Sequence, residues 1–344
     1  MPMLYLDGII YSLQSYGGIS VYYNQIIKAI KATNIEYTIL NYENTGCQFI
    51  SEDVRQPGRY INLYPRFLER YRAVDIPENS LLHSSYYRFN KGKKNKNITT
   101  VHDFTYEKYM SGLRKYVHCH QKYNAIKNSD KIICISENTA NDLLRYCPVP
   151  ESKIEIIHNG VSDNFYELKN VNYNDDDNFM LFIGSRKAYK NFQLAVEAIN
   201  KLEGFKLYIV GGGPLGKAEK FLLDKYIPYR YIHYPYLTEQ ELNLKFNQAH
   251  SLIYPSSYEG FGIPLLEAMR AGCPFIAYNH SSIPEVAGDA GYLMDELSIS
   301  NLIDGISFIN RNRNQIIKKG LSQAQRFSWK KCTDKTIDIY KKLL

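Results

Sequence analysis

The segment SLIYPSSYEGFGIPLLEAM, Ser251–Met269, places a strand pattern, a glycine loop and a helix start in immediate succession. The apolar run ends at Pro255, and Pro264 suits the first turn of a helix because its missing N–H has no intrahelical partner there. Gly260 and Gly262 allow the intervening backbone to approach a ligand closely. Free N–H groups and the positive end of a helix dipole favour a phosphate. The segment therefore predicts a βα unit with a diphosphate-binding loop.

Short apolar runs alternate with amphipathic helical patterns along most of the chain, which is typical of parallel sheets built from βαβ units. The polar stretch Glu167–Asn178 interrupts this alternation and is interpreted as a linker. We predict an α/β protein with two Rossmann-like, doubly wound parallel-sheet domains facing a central cleft. Candidate strands before the linker are Met3–Leu6, Tyr37–Leu40, Leu81–His83, Thr99–His102, Lys131–Ile135 and Ile154–Ile157, and those after it lie near Phe179, Lys206, Tyr231 and Ser251.

Length and composition restrict the class of protein. The 344 residues suit two domains rather than one. No run of about 18 apolar residues is present, and the first residues, MPMLYLDGIIYS, lack a basic leader, so we expect a cytoplasmic protein. The six cysteines are scattered and are expected to be reduced. In His118–His120, neighbouring residues on a helix point in different directions, so we predict no metal site there.

The net charge of +7 is modest but locally concentrated. The segment Arg55–Arg72 carries five arginines and one acid among aromatic and aliphatic residues. Two interpretations stay open: peripheral contact with the anionic inner face of the plasma membrane, or a solvated helix or loop face. The run Lys91–Lys96 is interpreted as a solvated loop. Neither segment has a groove-reading or base-stacking pattern, so no nucleic-acid partner is predicted.

Two further motifs point to other chemistry. Gly211–Gly216 fits GxGxxG after a strand, as in dinucleotide dehydrogenases, but no acidic residue ends the next predicted strand. Asp175–Asp177 contains the DxD of metal-dependent sugar transferases, but it precedes a strand within the linker. We therefore predict neither a nicotinamide cofactor nor a bound metal.

Two glutamates flank the glycine loop. Glu267, about one turn into the predicted helix, can accept two hydrogen bonds from a ribose diol, and Glu259 would lie on the sugar side of the phosphates. The plainer interpretation is that Glu267 complements the helix dipole and Glu259 is an exposed acid. Arg186 and Lys190 follow another buried strand and could neutralise a leaving diphosphate, unless that turn is simply solvated.

Taken in order, these motifs resemble glycosyltransferase family 4, a large family of retaining enzymes with the two-domain GT-B fold. The strongest element is EGFGIPLLE, Glu259–Glu267, which matches the family's E-x7-E motif with its Gly-Phe-Gly core. Many members read Gly-Arg where Ser185 intervenes here. The resemblance covers nearly the whole chain, and its other elements are Tyr16-Gly17-Gly18-Ile19, His102-Asp103, Ile135-Ser136-Glu137, Asn159-Gly160-Val161, Arg186 with Lys190, and Val210-Gly211-Gly212-Gly213-Pro214.

The resemblance implies roles for domains and residues. Residues 1–168 would bind the acceptor, residues 169–326 would bind the nucleotide-sugar donor, and a helix over 327–344 would cross back to the first domain. Gly17 and Gly18 would let a loop of the first domain approach the diphosphate. The implied catalytic residues are His102, Arg186, Lys190 and Glu259. Of the implied donor contacts, Glu267 would bind the ribose, Glu259 the sugar, and Arg186 with Lys190 the diphosphate. Backbone of Gly260, Phe261, Gly262 and Ile263 would contact phosphates and sugar, and backbone near Tyr236 and Leu237 would contact the base.

The implied activity is transfer of a hexose of mannose or glucose type from a UDP- or GDP-sugar to a hydroxyl of a glycan or lipid-linked acceptor. Anomeric configuration would be retained, and no metal or other cofactor would be needed. The expected context is lipopolysaccharide O-antigen, capsule or another surface polysaccharide. Two alternatives stay open: a sugar-nucleotide epimerase of the same fold, or a noncatalytic nucleotide-binding partner of another transferase.

Overall fold

The computed structural model describes residues 2–14, 17–42, 59–61, 69–169, 171 and 178–344, with the backbone alone for 59–61. Asp175–Asp177, most of the linker, Tyr16 and most of Arg55–Arg72 therefore lie outside the described residues. By its contacts the chain divides into two compact units, residues 1–159 with 329–344, and residues 160–328.

The first unit contains a parallel sheet whose strands are β1 (Leu4–Asp7), β2 (Tyr37–Tyr42), β3 (Arg59–Ile61), β4 (Leu81–Ser84), β5 (Lys96–Val101), β6 (Lys131–Cys134) and β7 (Ile154–Ile156). Their order across the sheet is β3-β2-β1-β4-β5-β6-β7. Leu4 pairs with Tyr37 on one side and with Leu81 on the other. The strand order reverses between β1 and β4, so the loops after these two strands diverge and leave a crevice at the carboxyl edge.

Helices α1 (Ile10–Leu13), α2 (Gly18–Ile30), α3 (Thr105–Tyr109), α4 (Gly112–Lys127) and α5 (Glu137–Tyr146) connect these strands. Ser136 caps the start of α5, because its Oγ accepts the backbone N–H of Thr139 at 3.0 Å. On α2, buried residues recur at helical spacing and face the sheet, including Tyr23, Ile27 and Ile30.

The second unit has strands β8 (Phe179–Ile183), β9 (Lys206–Val210), β10 (Tyr231–Tyr234), β11 (Ser251–Tyr254), β12 (Phe275–Tyr278) and β13 (Tyr292–Met294). They lie in the order β10-β9-β8-β11-β12-β13, with every pair parallel. Here the order reverses between β8 and β11. The predicted α/β class with doubly wound sheets is confirmed. Strands β3, β12 and β13, which are only three or four residues long, were not among those expected from the sequence.

The helices of the second unit are α6 (Phe192–Lys201), α7 (Lys217–Tyr226), α8 (Glu239–Gln248), α9 (Ile263–Arg270), α10 (Ile283–Ala287) and α11 (Ile299–Ala324). Fully buried Ile209, Ile253 and Ile276 from three strands pack with Ala195 and Ile199 of α6 in one apolar cluster. Burial of each of these isoleucine side chains contributes about 1.5–3 kcal/mol. This core fixes the sheet edge from which the loops emerge.

The boundary between the units differs from the one expected after residue 168. Residues 160–168 belong with the second unit. The ring of Phe165 packs edge-on against Phe246, with 6.0 Å between centroids, and Ser162 Oγ donates to Glu239 at 2.8 Å. An Asn/Asp-rich composition marks a polar stretch in the sequence but does not show which unit its flanks pack against.

Helix α12 (Trp329–Leu343) belongs to the first unit. Cys332, Ile337 and Tyr340 are buried in the same apolar cluster as residues of β1 and α2. Nδ1 of His83 on β4 lies 2.6 Å from the Tyr340 hydroxyl. The first unit is thus built from two stretches of the chain.

Across the described residues, no helix combines the length and the apolar character that a bilayer crossing requires.

Candidate functional site

The loops after β8 and β11 are tied together at the carboxyl edge of the second sheet. Nδ2 of Asn191 donates to the carbonyl of Pro255 at 2.7 Å and lies 2.8 Å from Ser257 Oγ. The N–H of Ser257 donates back to the carbonyl of Tyr189 at 2.7 Å. Asn191 has a φ of 50°, a left-handed conformation that asparagine tolerates better than most residues. Because these strands flank the reversal of strand order, the joined loops occupy the usual ligand position of a doubly wound sheet.

The glycine loop before α9 has the predicted form. Gly262 has a φ of 107° at the helix N-cap, and Pro264 lies in the first turn. The loop is held from behind by two serines after β12. Ser281 Oγ accepts the N–H of Glu259 at 3.0 Å, and Ser282 Oγ lies 2.9 Å from the carbonyl of Phe261. Neither serine was among the residues expected from the sequence. Their signal is a Ser-Ser-Ile-Pro helix start that follows a strand too short to be recognised.

Lys190 and Glu259 form an ion pair, with Nζ bonded to Oε1. Their side chains are only 13% and 14% exposed, so solvent screens the pair weakly. The ammonium also lies 5.4 Å from the ring centroid of Tyr254. Burial and the Glu259 carboxylate raise the pKa of Tyr254 well above its usual value, so its hydroxyl stays protonated. The residues expected to contact a diphosphate and a sugar are thus adjacent and bind each other in this structure.

Glu267 lies on α9, partly buried and without a compensating charge. Burial and, to a smaller extent, the nearby Glu239 carboxylate raise the pKa of its carboxyl to about 8. Within the described part of the chain no hydrogen-bond donor reaches this carboxyl group. A carboxyl that is partly desolvated and lacks donors is available to accept hydrogen bonds from ligand hydroxyls.

The guanidinium of Arg186 is bound by backbone carbonyls of the glycine loop after β9. Its side chain is 2% exposed, and its Nε lies 3.0 Å from Oε1 of Glu219, an ion pair without hydrogen-bond geometry. Nη1 donates to the carbonyl of Gly211 at 2.8 Å, while Nη2 lies 3.0 to 3.1 Å from the next three carbonyls. Arg186 was expected to face a diphosphate, whereas its guanidinium here binds the backbone carbonyls of Gly211–Pro214. Its carbonyl partners are far along the chain, which local sequence does not reveal.

Backbone torsion angles explain why this loop needs glycine. Gly211, Gly212 and Gly213 have φ values of 77°, 75° and 74°. Three successive left-handed residues turn several carbonyls toward one point, and only glycine adopts this conformation at low cost. A Cβ on Gly212 would lie 2.4 Å from Nη1 of Arg186 and 2.5 Å from the carbonyl oxygen of Gly184. The GxGxxG-like run therefore forms a site for an arginine.

Arg186→Ala is expected to lower the free energy of unfolding by about 2 kcal/mol without any nucleotide, because it removes the charge-assisted hydrogen bonds to the loop carbonyls and the ion pair with Glu219. Urea unfolding checks this, and Lys187→Ala, at an exposed position of the same loop, is the matched control. An unchanged urea midpoint together with a large loss of transfer would show instead that Arg186 acts on the donor alone.

The residues expected from the first unit lie close to one another within it. Gly18 begins α2, and Tyr22, one turn later, packs edge-on against His102 with 5.2 Å between centroids. A Cβ on Gly17 would lie 2.6 Å from Oε1 of Gln14, a contact that the flexible Gln14 side chain can relieve by rotating away. Burial lowers the pKa of His102 to about 4, while Asp103 acts in the opposite direction. The imidazole is therefore neutral at pH 7 and can accept or donate a hydrogen bond.

Tyr236 and Leu237, expected to lie near a base, follow β10 at the same sheet edge as the glycine loop. Tyr236 is 52% exposed. The next residue, Thr238, caps α8, with its Oγ1 accepting the N–H of Glu241 at 3.2 Å. This cap fixes the position of the preceding backbone.

The His118–His120 triplet divides among separate contacts. The ring of His118 stacks on Tyr106 with 3.8 Å between centroids, Cys119 is buried, and Nε2 of His120 lies 2.9 Å from Nδ2 of Asn124. Among the residues that the structure describes, no three His, Cys, Asp or Glu side chains come together as metal ligands.

Comparisons with known proteins agree with this arrangement. Residues 16–165 match the model of Glycosyltransferase Family 4, and residues 165–330 match that of Glycosyl transferases group 1. The chain is 28% identical over 277 residues to O-antigen chain mannosyltransferase B of Escherichia coli, covering 72% of this chain and 70% of that protein.

Solved structures share the fold. The sucrose-phosphate synthase of Thermosynechococcus elongatus superposes with a TM-score of 0.80 at 19% identity, covering 100% of this chain and 99% of the other. Anabaena HepE, in complex with UDP and glucose, gives 0.77 at 14% identity, covering 99% of each chain. Fold and sheet-edge loops thus define a glycosyltransferase of the GT-B class. The chain belongs to glycosyltransferase family 4, and the resemblance expected from its motifs is confirmed.

Proposed function

We propose that this glycosyltransferase moves a hexose of mannose or glucose type from a UDP- or GDP-sugar to a hydroxyl of a glycan or lipid-linked acceptor during surface-polysaccharide synthesis. The observation that carries the proposal is the pairing of Lys190 with Glu259 beside the glycine loop and the start of α9. In a nucleotide sugar, a phosphate can bind Lys190 and the sugar hydroxyls can donate hydrogen bonds to Glu259. Donor binding then exchanges one ion pair for two charge-assisted contacts.

The names of relatives support the rest of the proposal. O-antigen chain mannosyltransferase B supports a mannose-type sugar and a surface polysaccharide, while the HepE complex with UDP and glucose supports a nucleotide-sugar donor. Either lipopolysaccharide O-antigen or capsule is consistent with this context. Contacts of the base with backbone near Tyr236 and Leu237 would determine whether the enzyme prefers uracil or guanine.

We further propose retention of anomeric configuration without a metal. In the front-face substitution typical of this family, the departing phosphate oxygen takes the acceptor's proton, so the protein positions reactants and stabilises negative charge. Lys190 and the amino-terminal end of α9 provide positive charge for the diphosphate. No step then requires a protein acid and base on opposite faces of the sugar.

A panel of UDP- and GDP-sugars tests the proposal, first by thermal shift and then by transfer to glycan and polyprenyl-linked acceptors. We expect one base and one sugar to be preferred, an α-linked product from an α-linked donor, and unchanged rates in EDTA. Loss of activity in EDTA with recovery in manganese would contradict metal independence. Nucleotide release without acceptor would favour an epimerase, and nucleotide binding without any transfer would favour a noncatalytic partner.

A further inference from the structure

A basic cavity of about 270 Å³ lies in the first unit beside the loop that follows β4. Its lining includes the cations Arg70, Arg72 and Lys91 and the exposed rings of Tyr71 and Tyr116. Its described lining residues include no Asp or Glu. None of these residues belongs to the donor-binding arrangement of the second unit.

Arg70 provides the least compensated charge in this cavity. Its guanidinium lies 4.9 Å from the ring centroid of Tyr71 and 4.7 Å from that of Tyr86, whose hydroxyl accepts a hydrogen bond from Nη2 at 3.1 Å. Nε of Arg70 is buried without a partner. Among the described residues no carboxylate pairs with Arg70 or Lys91. A buried guanidinium N–H without an acceptor leaves one charged donor available to a ligand, and an anion gains most from such a donor.

Acidic residues behind the cavity neutralise only part of its charge. Arg72 pairs with Glu69 at 3.2 Å, and Glu69 also pairs with the buried Arg88 at 2.9 Å. Arg88 reaches Asp7 at 3.3 Å. Four cations, Arg70, Arg72, Arg88 and Lys91, thus face two carboxylates, which leaves a formal charge of +2. This excess suits a phosphate better than a neutral sugar.

The cavity lies at a favourable place in the first sheet. The loop after β4 emerges at the point where the strand order reverses, which is the usual ligand position of this topology. Tyr87 forms one wall, and its hydroxyl lies against the backbone of His102. A ligand in the cavity is therefore separated from the His102 loop by a single side chain.

We propose that this cavity binds a phosphate group of the acceptor, an inference that rests on the proposed transferase function. Arg70, Arg72 and Lys91 bind the phosphate oxygens, and Tyr71 and Tyr116 provide aromatic surfaces for an adjoining sugar ring. Its volume accommodates a phosphate with one such ring. Arg70 and Arg72, the two arginines of Arg55–Arg72 whose side chains the structure describes, thus receive a function in a pocket rather than on an open surface.

Titration with methyl phosphate, followed by ³¹P NMR, tests this assignment. The protein is saturated with UDP or GDP so that the donor loops are occupied. We expect saturable binding that Arg70→Gln weakens at least tenfold, as loss of a charge-assisted contact requires. Lys91→Gln, at an exposed position, should weaken binding several-fold with an unchanged melting temperature, which separates loss of binding from loss of folding. The double variant Lys341→Gln/Lys342→Gln, which removes two exposed charges of α12, should bind like the wild type.

Three outcomes would overturn the proposal. The first is no binding of methyl phosphate, and the second is wild-type affinity in both Arg70→Gln and Lys91→Gln. The third is a loss of affinity in the α12 variant as large as that in the pocket variants. Vesicles of phosphatidylcholine with and without phosphatidic acid form a second arm. Vesicle binding that depends on Arg70 without any binding of soluble phosphate would identify a membrane surface instead. Thermal stabilisation by UDP and GDP, measured on the same variants, tests the donor site separately, so failure of the pocket and failure of the transferase function are distinguishable.

Discussion

Replacing Lys190 by Ala is expected to lower kcat/KM for sugar transfer by about a thousandfold, equivalent to about 4 kcal/mol of transition-state stabilisation. Negative charge grows on the diphosphate as its bond to the sugar breaks, and Lys190 lies in the loop that meets the start of α9. The variant also leaves the Glu259 carboxylate unpaired and only 14% exposed, where it repels an incoming diphosphate. Initial rates at varied donor concentration give the change in kcat/KM.

The controls for Lys190 separate charge from folding. Lys187→Ala removes an exposed charge from the same loop and should retain activity within a factor of two or three. Lys190→Arg keeps the charge and should recover part of the loss, because an arginine can still pair with Glu259. A Lys190→Ala enzyme with near wild-type kcat/KM would exclude this lysine from the donor site. A melting temperature close to wild type excludes misfolding as the cause.

Glu267→Ala is expected to weaken nucleotide binding roughly a hundredfold, since it removes an acceptor for two hydroxyl groups. The same carboxyl group predicts a pH dependence, because its folded-state pKa of about 8 lies above the ordinary value of 4.5. Ribose hydroxyls donate to the ionised carboxylate, so nucleotide binding should release nearly one proton at pH 7 and tighten as pH rises toward 8. Calorimetry in buffers of different ionisation enthalpy measures the released proton.

Nucleotide binding should tighten as pH rises, whereas the free energy of unfolding of the nucleotide-free protein should fall. Between about pH 4.5 and pH 8 folded Glu267 retains a proton that the unfolded chain has released, so this residue lowers the free energy of unfolding as pH rises through that window. Glu267→Gln has no such dependence and should melt higher than wild type at pH 8 while binding nucleotide weakly. Proton release that persists in Glu267→Gln would assign the titration to another group.

Local sequence was sufficient for the glycine loop and for most strands. The left-handed Gly262 and the first-turn Pro264 restrict the backbone by themselves, so the position of Glu267 on α9 followed from spacing alone. The apolar runs of β8, β9 and β11 were recognisable because a glycine or proline directly follows each of them and ends the strand. Short strands such as β13, with three residues, contain too little periodicity to be recognised.

Contacts between distant residues were not predictable. Lys190 and Glu259 are 69 positions apart, and their pairing depends on how the reversal of strand order brings β8 beside β11. Arg186 illustrates the same limit, because its carbonyl partners lie about 25 residues further along the chain. A positively charged residue after a strand suggests a phosphate site in the sequence, whereas packing decides whether backbone oxygens occupy its donors.

The order in which the units can fold follows from the position of α12. Residues 160–328 are contiguous and can complete their core as soon as they leave the ribosome, whereas the first unit waits for residues 329–344. The contact between His83 and Tyr340 spans 257 positions, and such distant contacts form slowly. During synthesis the earlier half of the chain therefore exposes part of its apolar surface for longest.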